Sequence, residues 1–153
     1  MKPSSMVIEG YASLFGVEDL AGDVVRAGAF ARTLARRQDA GGIGMLLQHV
    51  GGRTAGRWTT MREDGRGLFV RGLVTGETAA GRTALDLIGD RAMNGLSIGF
   101  VARDWAQRRD RGRELRQIEL QEISLVSSPM LRDARFAAVG GPDISKLRSR
   151  FCA

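Results

Sequence analysis

The 153-residue sequence predicts a single β-rich domain of the all-β or α+β class, and three observations carry that expectation. Its 21 glycines sit largely one at a time between short apolar runs, the spacing of many turns. Two pairs of apolar-rich segments flank turn-forming tips, one around Asp64-Gly65 and one around an arginine-rich stretch at 107–113. Helical periodicity is confined to two short stretches. A chain of this length can bury a real core as one domain.

The elements follow in order. Residues 6–13 read as a strand through Val7 and Ile8. Residues 16–23 form a loop, with Asp19, Gly22 and Asp23 as turn formers. A short extended piece, Val24-Val25-Arg26, precedes a helix that Gly28-Ala29-Phe30 opens and that runs to about Arg37. Phe30 and Leu34 share its face at i, i+4, and residues 38–42 end it. Residues 44–49 read as a buried strand with Met45, Leu47 and His49 on one face, cut off by Gly51-Gly52. A hairpin joins 57–62 to 68–74, with Leu68, Val70 and Val74 inward. The second helix starts at Thr78 as N-cap and runs to about Asp90. Leu85, Ile88 and Ala92 lie on one side of it, Arg82, Asp86 and Asp90 on the other.

Asn94-Gly95 then turns into a long hairpin with arms 96–106 and 114–126. In the second arm, Ile118 and Leu120 alternate in one phase and Ile123 and Leu125 in the other. That slip predicts a bulge near Gln121-Glu122. Before the slip, Glu122 shares the phase of Ile118 and Leu120, so a carboxylate pointing into apolar surroundings there needs a partner. Ser127-Ser128-Pro129 ends the arm and residues 131–139 close the domain, which spans 1–139. Residues 140–153 read as a polar tail.

The charge balance excludes little. There are 23 basic and 17 acidic residues, a net +6, and every basic residue except Lys2 and Lys146 is arginine. Nucleic-acid binding is therefore allowed, chiefly at the 107–113 tip, but the arginines are spread along the whole chain, as on solvated faces. Cys152 alone cannot form an intrachain disulfide, so an intracellular compartment is expected. With His49 as the single histidine and no cysteine cluster, no metal or cofactor is expected. No signal-peptide pattern or membrane-length apolar run is present, which predicts a soluble protein.

The stretch with chemistry in it is Gly95-Leu96-Ser97-Ile98-Gly99-Phe100. On a strand, Ser97 points away from Leu96, Ile98 and Phe100, and the flanking glycines let another backbone approach. The plain alternative is a core-strand serine bonded to neighbouring backbone. The letters G-x-S-x-G also spell the α/β-hydrolase nucleophile elbow, but that motif needs a following helix and a later histidine. Here the strand continues and no histidine follows. Counting back through the hairpin tip pairs Ser97 within a residue or two of Ser124, which brings Glu122 near it. His49 stands at a strand end beside a glycine loop; its plain alternative is a packed ring. A serine hydroxyl needs a base, histidine suits that role, and a carboxylate can orient the ring. His49, Ser97 and Glu122 are therefore the candidate catalytic set.

The chain carries Gly10-Tyr11-Ala12-Ser13 with Phe15-Gly16, Asp19 followed by Gly22-Asp23-Val24-Val25, Gly28-Ala29-Phe30 and Leu47-Gln48-His49. Gly67-Leu68, the Ser97 stretch, and Glu122-Ile123-Ser124-Leu125-Val126 with Pro129 follow. In this order and spacing these pieces carry a resemblance to the prohead (capsid-maturation) serine proteases of tailed phages and phage-like particles such as gene transfer agents. It implies an α+β fold, a mainly antiparallel β-barrel flanked by a few helices, like the herpesvirus assemblins. It implies endopeptidase activity inside the immature capsid in the producing cell, on scaffold, on the scaffold-like arm of the major capsid protein, and on itself. A homodimer follows by analogy with related viral proteases; neither membrane nor nucleic acid is expected as a partner. His49 and Ser97 match the family's histidine and serine. Related viral proteases use a second histidine as the third member, and this chain has none, so Glu122 takes that place with Asp23 in reserve. Backbone N–H groups near Ser127-Ser128, or Arg132 or Arg135, are the oxyanion-donor candidates. The competing reading is a non-enzymatic capsid assembly or scaffold component with the same fold.

Overall fold

The structure, a computed structural model, describes residues 4–36 and 40–139. The predicted tail at 140–153 lies outside the described residues, as do Arg37 and 38–39 at the end of the first helix. Among the described residues, eight strands and two α-helices follow one another as β1 (Ser5–Leu14), β2 (Val24–Val25), α1 (Ala31–Arg36), β3 (Gly44–Leu47), β4 (Thr54–Glu63), β5 (Gly67–Thr75), α2 (Ala79–Gly89), β6 (Gly95–Gln107), β7 (Arg113–Val126) and β8 (Phe136–Ala138). A short 3-10 turn, Ala40–Gly42, leads into β3.

The strands form one curled mixed sheet in the order β2-β7-β3-β4-β5-β1-β8, with β6 paired to β7. Most pairs are antiparallel, but β2 and β3 run parallel to β7. Barrel closure is partial. The segment entering β8 bridges β6 only at Gly95–Arg135, with Leu96 N–H donating to the Ala134 carbonyl and Phe136 N–H to that of Asn94. Beyond that corner a seam runs between β1 and β6.

The core fills the inside of the curl. Ile8, Phe30, Met45, Trp58, Leu68, Val70, Leu96, Leu120, Ile123 and Leu125 are buried there. The inward face expected of the first hairpin is confirmed, since Leu68, Val70 and Val74 are fully buried. Thr78 caps α2 as predicted, its hydroxyl accepting from Gly81 N–H at 2.9 Å. The expected face of that helix is present in part, with Leu85 buried and Ile88 packed against the core. Ala80, Gly81, Ala84 and Leu85 pack inward, whereas Ala92 lies past the helix end and is exposed. Small residues on that face let the helix sit close to β4 and β5.

The Asp64-Gly65 turn is locked by a side-chain contact between strands. Asp64 accepts from Arg66 and Gly67 N–H, and its other oxygen accepts from the Tyr11 hydroxyl at 2.5 Å. That bond raises the Tyr11 phenol above its ordinary value, with burial second, and lowers the Asp64 carboxyl. A raised tyrosine contributes stability below its unfolded value and loses it as pH rises through the folded one. The lowered Asp64 contributes above the ordinary carboxylate range and loses that contribution on acidification through its folded value. Tyr11 is the single tyrosine, so tyrosinate absorbance reports on it alone. Asp64→Asn should move its titration midpoint downward; an unchanged midpoint would mean that the bond does not set it.

The arginine-rich tip between β6 and β7 is a largely exposed turn, but Arg108, Arg111 and Arg113 tie it to the 16–23 loop. Arg108 and Arg111 pair with Glu18, and Arg113 pairs with Asp23 at 2.8 Å. Arg108 and Arg111 also donate to the carbonyls of Gly22 and Leu20. A side chain on Gly112 would strike the Gly22 backbone, so the two loops touch main chain to main chain. The tip thus clamps the 16–23 loop. Asp23 is buried while Arg113 is about one-third exposed, with side-chain exposures of 8% and 35%. Arg113→Ala, which strands that carboxylate, should cost about 1–3 kcal/mol in urea denaturation. A loss near zero would show that water replaces the guanidinium.

Candidate active site

Ser97 lies on β6 directly opposite Ser124 on β7, and Gly99 lies opposite Glu122. The expected bulge is present. Gly99 pairs with Glu122 and Phe100 with Leu120, so Gln121 is the extra residue. Its consequence corrects the predicted direction of Glu122. The bulge resets the alternation, so Ile118, Leu120, Ile123 and Leu125 all reach the core, and Glu122 turns to the opposite face with Ser124 and Ser97.

His49 departs from the sequence expectation in a different way. The strand β3 stops at Leu47, and Gln48 and His49 turn away in left-handed conformations, with φ of 53° and 62°. Met45 and Leu47 share a buried face, but His49 leaves it and is exposed. Left-handed backbone costs a non-glycine residue about 1–2 kcal/mol, so two in succession need anchors. Gln48 N–H donates to the Leu125 carbonyl, and the Gln48 side chain exchanges bonds with the Ser127 hydroxyl at 2.9 Å and the Ser127 N–H at 3.2 Å. His49 N–H donates to Ser124 Oγ at 3.2 Å.

This turn delivers the ring to the carboxylate. His49 Nδ1 lies 2.5 Å from Glu122 Oε1, and the Ser124 hydroxyl donates to Glu122 Oε2 at 2.5 Å. An ionised carboxylate only accepts, so a neutral ring facing it would carry its proton on Nδ1 and its lone pair on Nε2. Ser97 and Ser124 are both buried, and among the described residues the Ser97 hydroxyl makes no hydrogen bond to His49. The structure therefore joins His49 to Glu122 directly and brings Ser97 to them through the Ser97–Ser124 register.

Asp23 does not share this ring. Its oxygens take the Arg113 N–H and guanidinium. The Ser127 N–H is occupied by Gln48, and Arg135 bonds the Arg132 carbonyl and Asn94. Sequence reasoning used Ser124 only to set the register and Gly99 only as a site of close backbone approach, and gave neither of them, nor Gln48, a contact with Glu122 or His49. The available signal was the two-residue spacing of Glu122 and Ser124, which places both on one face of a strand.

Ser97 also borders a cavity of about 50 Å³ in the β1–β6 seam. Ala12, Ser13, Ile98 and Phe100 line it, and Val17, Met130 and Leu131 cover it. The clamped loop is therefore one of its walls.

A partly closed mixed sheet of this kind is a fold found among solved viral proteases. The bacteriophage T4 capsid assembly protease superposes with a TM-score of 0.66 at 13% identity, over 82% of this chain and 88% of its own. The KSHV protease, solved with a hexapeptide phosphonate inhibitor, gives 0.61 at 16% identity, over 96% of this chain and 69% of its own.

Sequence makes the assignment specific. The chain belongs to the caudovirus prohead serine protease family, which it matches over residues 2–145. It is 32% identical over 140 residues to the prohead protease of Enterobacteria phage HK97, covering 90% of this chain. It spans 61% of that relative's length. The expected family and fold are thus confirmed, with the barrel open along one seam.

Proposed function

We propose that this protein is a serine endopeptidase of prohead maturation, with Ser97 as nucleophile, His49 as general base and Glu122 as the group that orients the ring. The observation that carries this reading is the His49–Glu122 contact on the sheet face that also presents Ser97. Glu122 fixes the Nδ1–H tautomer and leaves Nε2 to take the serine proton. Ser97 Oγ attacks the scissile carbonyl, and the imidazolium then protonates the departing amine. Water hydrolyses the acyl-enzyme by the same base. Hydrogen bonds between base and nucleophile often close only when substrate is bound, so the open His49–Ser97 geometry suits a resting enzyme.

An extended peptide along the free edge of β6 would meet Ser97 and place a small apolar side chain in the seam cavity. The substrates in this reading are scaffold, the scaffold-like arm of the major capsid protein, and the chain itself, cut inside the immature capsid of the producing cell; a homodimer is part of the same reading. Oxyanion donors are sought at the Ser128 N–H and Arg132.

The test is mass spectrometry after fluorophosphonate treatment of wild type beside His49→Ala. An adduct on Ser97 that disappears in the variant is expected. An adduct that forms equally in both would remove His49 from the base role. A wild type that is unlabelled even within assembled proheads would favour the non-enzymatic assembly component.

A further inference from the structure

We propose that Gly99 and Ser124 are positioning residues that together mould the Glu122 carboxylate against His49. The inference rests on the roles proposed above for His49, Glu122 and Ser97. A glutamate on a strand has three side-chain torsions, and holding one oxygen on a histidine requires that the others be fixed. Two features do this from opposite sides.

The first is an absence of side chain. Gly99 faces Glu122 across the ladder, and the glutamate lies over the bare backbone there. A Cβ on Gly99 would stand 2.8 Å from Glu122 Cδ and 2.9 Å from Cγ, and closer still to Oε1. Real Cβ atoms do not approach so closely, so alanine must push the carboxylate away. Gly99 is not in a left-handed conformation, and its backbone alone does not call for glycine. The space occupied by Glu122 does.

The second is the Ser124 hydroxyl. It is fully buried and uses its one proton on Glu122 Oε2, which leaves Oε1 for the ring. Its lone pair takes the His49 N–H, so one oxygen atom ties both members of the pair. The bond to His49 also anchors the left-handed turn. Ser124 touches neither the nucleophile's proton nor the expected scissile carbonyl. It acts through Glu122 and His49.

His49 is the single histidine, so its ring nitrogens give uncrowded signals in long-range ¹H–¹⁵N NMR of the full chain. In wild type at a pH where the ring is neutral, the Nδ1–H tautomer should dominate. Gly99→Ala and Ser124→Ala should each shift the ring toward a mixture rich in Nε2–H. Each should also slow the limiting rate of Ser97 labelling by a methyl fluorophosphonate by tenfold or more, with the concentration for half-maximal rate little changed. The two variants approach Glu122 from different strands, so misfolding of one leaves the other as the test. A wild-type tautomer ratio kept in a folded variant overturns the proposal. A tautomer shift with no labelling in any protein, wild type included and within assembled proheads too, supports the mould and rejects the protease reading.

Discussion

Ser97→Ala is expected to abolish cleavage of capsid or scaffold protein and self-cleavage while leaving the fold intact. Ser97 sits in a ladder whose partner, Ser124, is held by its own bonds to Glu122 and His49, so no other side-chain bond depends on the lost hydroxyl. Stability should therefore change by less than about 0.5 kcal/mol. Activity should fall far more, because a hydroxyl nucleophile has no substitute at that position. In well-studied serine proteases, removing the nucleophile costs roughly 10⁶-fold in kcat. The measurement is gel and mass analysis of co-expressed capsid protein, with a thermal melt of the variant. Processing at anything near the wild-type rate would reject Ser97 as nucleophile.

The largest expected effect on stability is that of Trp58→Ala. Trp58 is buried on β4, with its indole N–H donating to the Ile123 carbonyl at 3.3 Å. It packs so closely over the neighbouring strand that a Cβ on Gly72 would meet its ring at 2.6 Å. Truncation removes that packing, leaves a cavity and takes away the indole bond to β7. The expected cost is about 3–5 kcal/mol, a large share of a small domain's stability. Ile123 lies between Glu122 and Ser124, so the same cavity undermines the strand that presents them. Chemical denaturation should show the loss, and the fraction of Ser97 labelled should fall with the folded fraction. A variant with an unchanged midpoint would show that Trp58 is not central to the core.

Other elements show where sequence reading reaches its limit. The phase slip between Ile118-x-Leu120 and Ile123-x-Leu125 located the bulge, because alternation is a local property of strands. It did not give the direction of Glu122, since the inserted Gln121 reverses every side chain after it. The ion pairs of the arginine tip were not legible because its partners, Glu18 and Asp23, are some ninety positions away in the chain. The inward face of α2 was legible at Leu85 and Ile88 but not at Ala80, Gly81 and Ala84, where small residues make the close contact.

By itself the sequence determined the β-rich class, the Asp64-Gly65 turn, the Thr78 cap, the pairing of Ser97 to within a residue or two of Ser124 and the three residues that compose the candidate site. These follow from periodicity, turn chemistry and counting along a hairpin, all of which act over short chain distances. Tertiary structure alone decided which atoms meet. It stopped β3 at Leu47 and turned His49 out through a left-handed backbone, which only anchors from β7 and the adjoining Ser127 can hold. It brought Glu122 over the bare surface of Gly99, divided its two oxygens between His49 and Ser124, and left the seam between β1 and β6 open beside Ser97. Such contacts join strands far apart in sequence, and their geometry is set by packing the whole sheet rather than by any one segment of it.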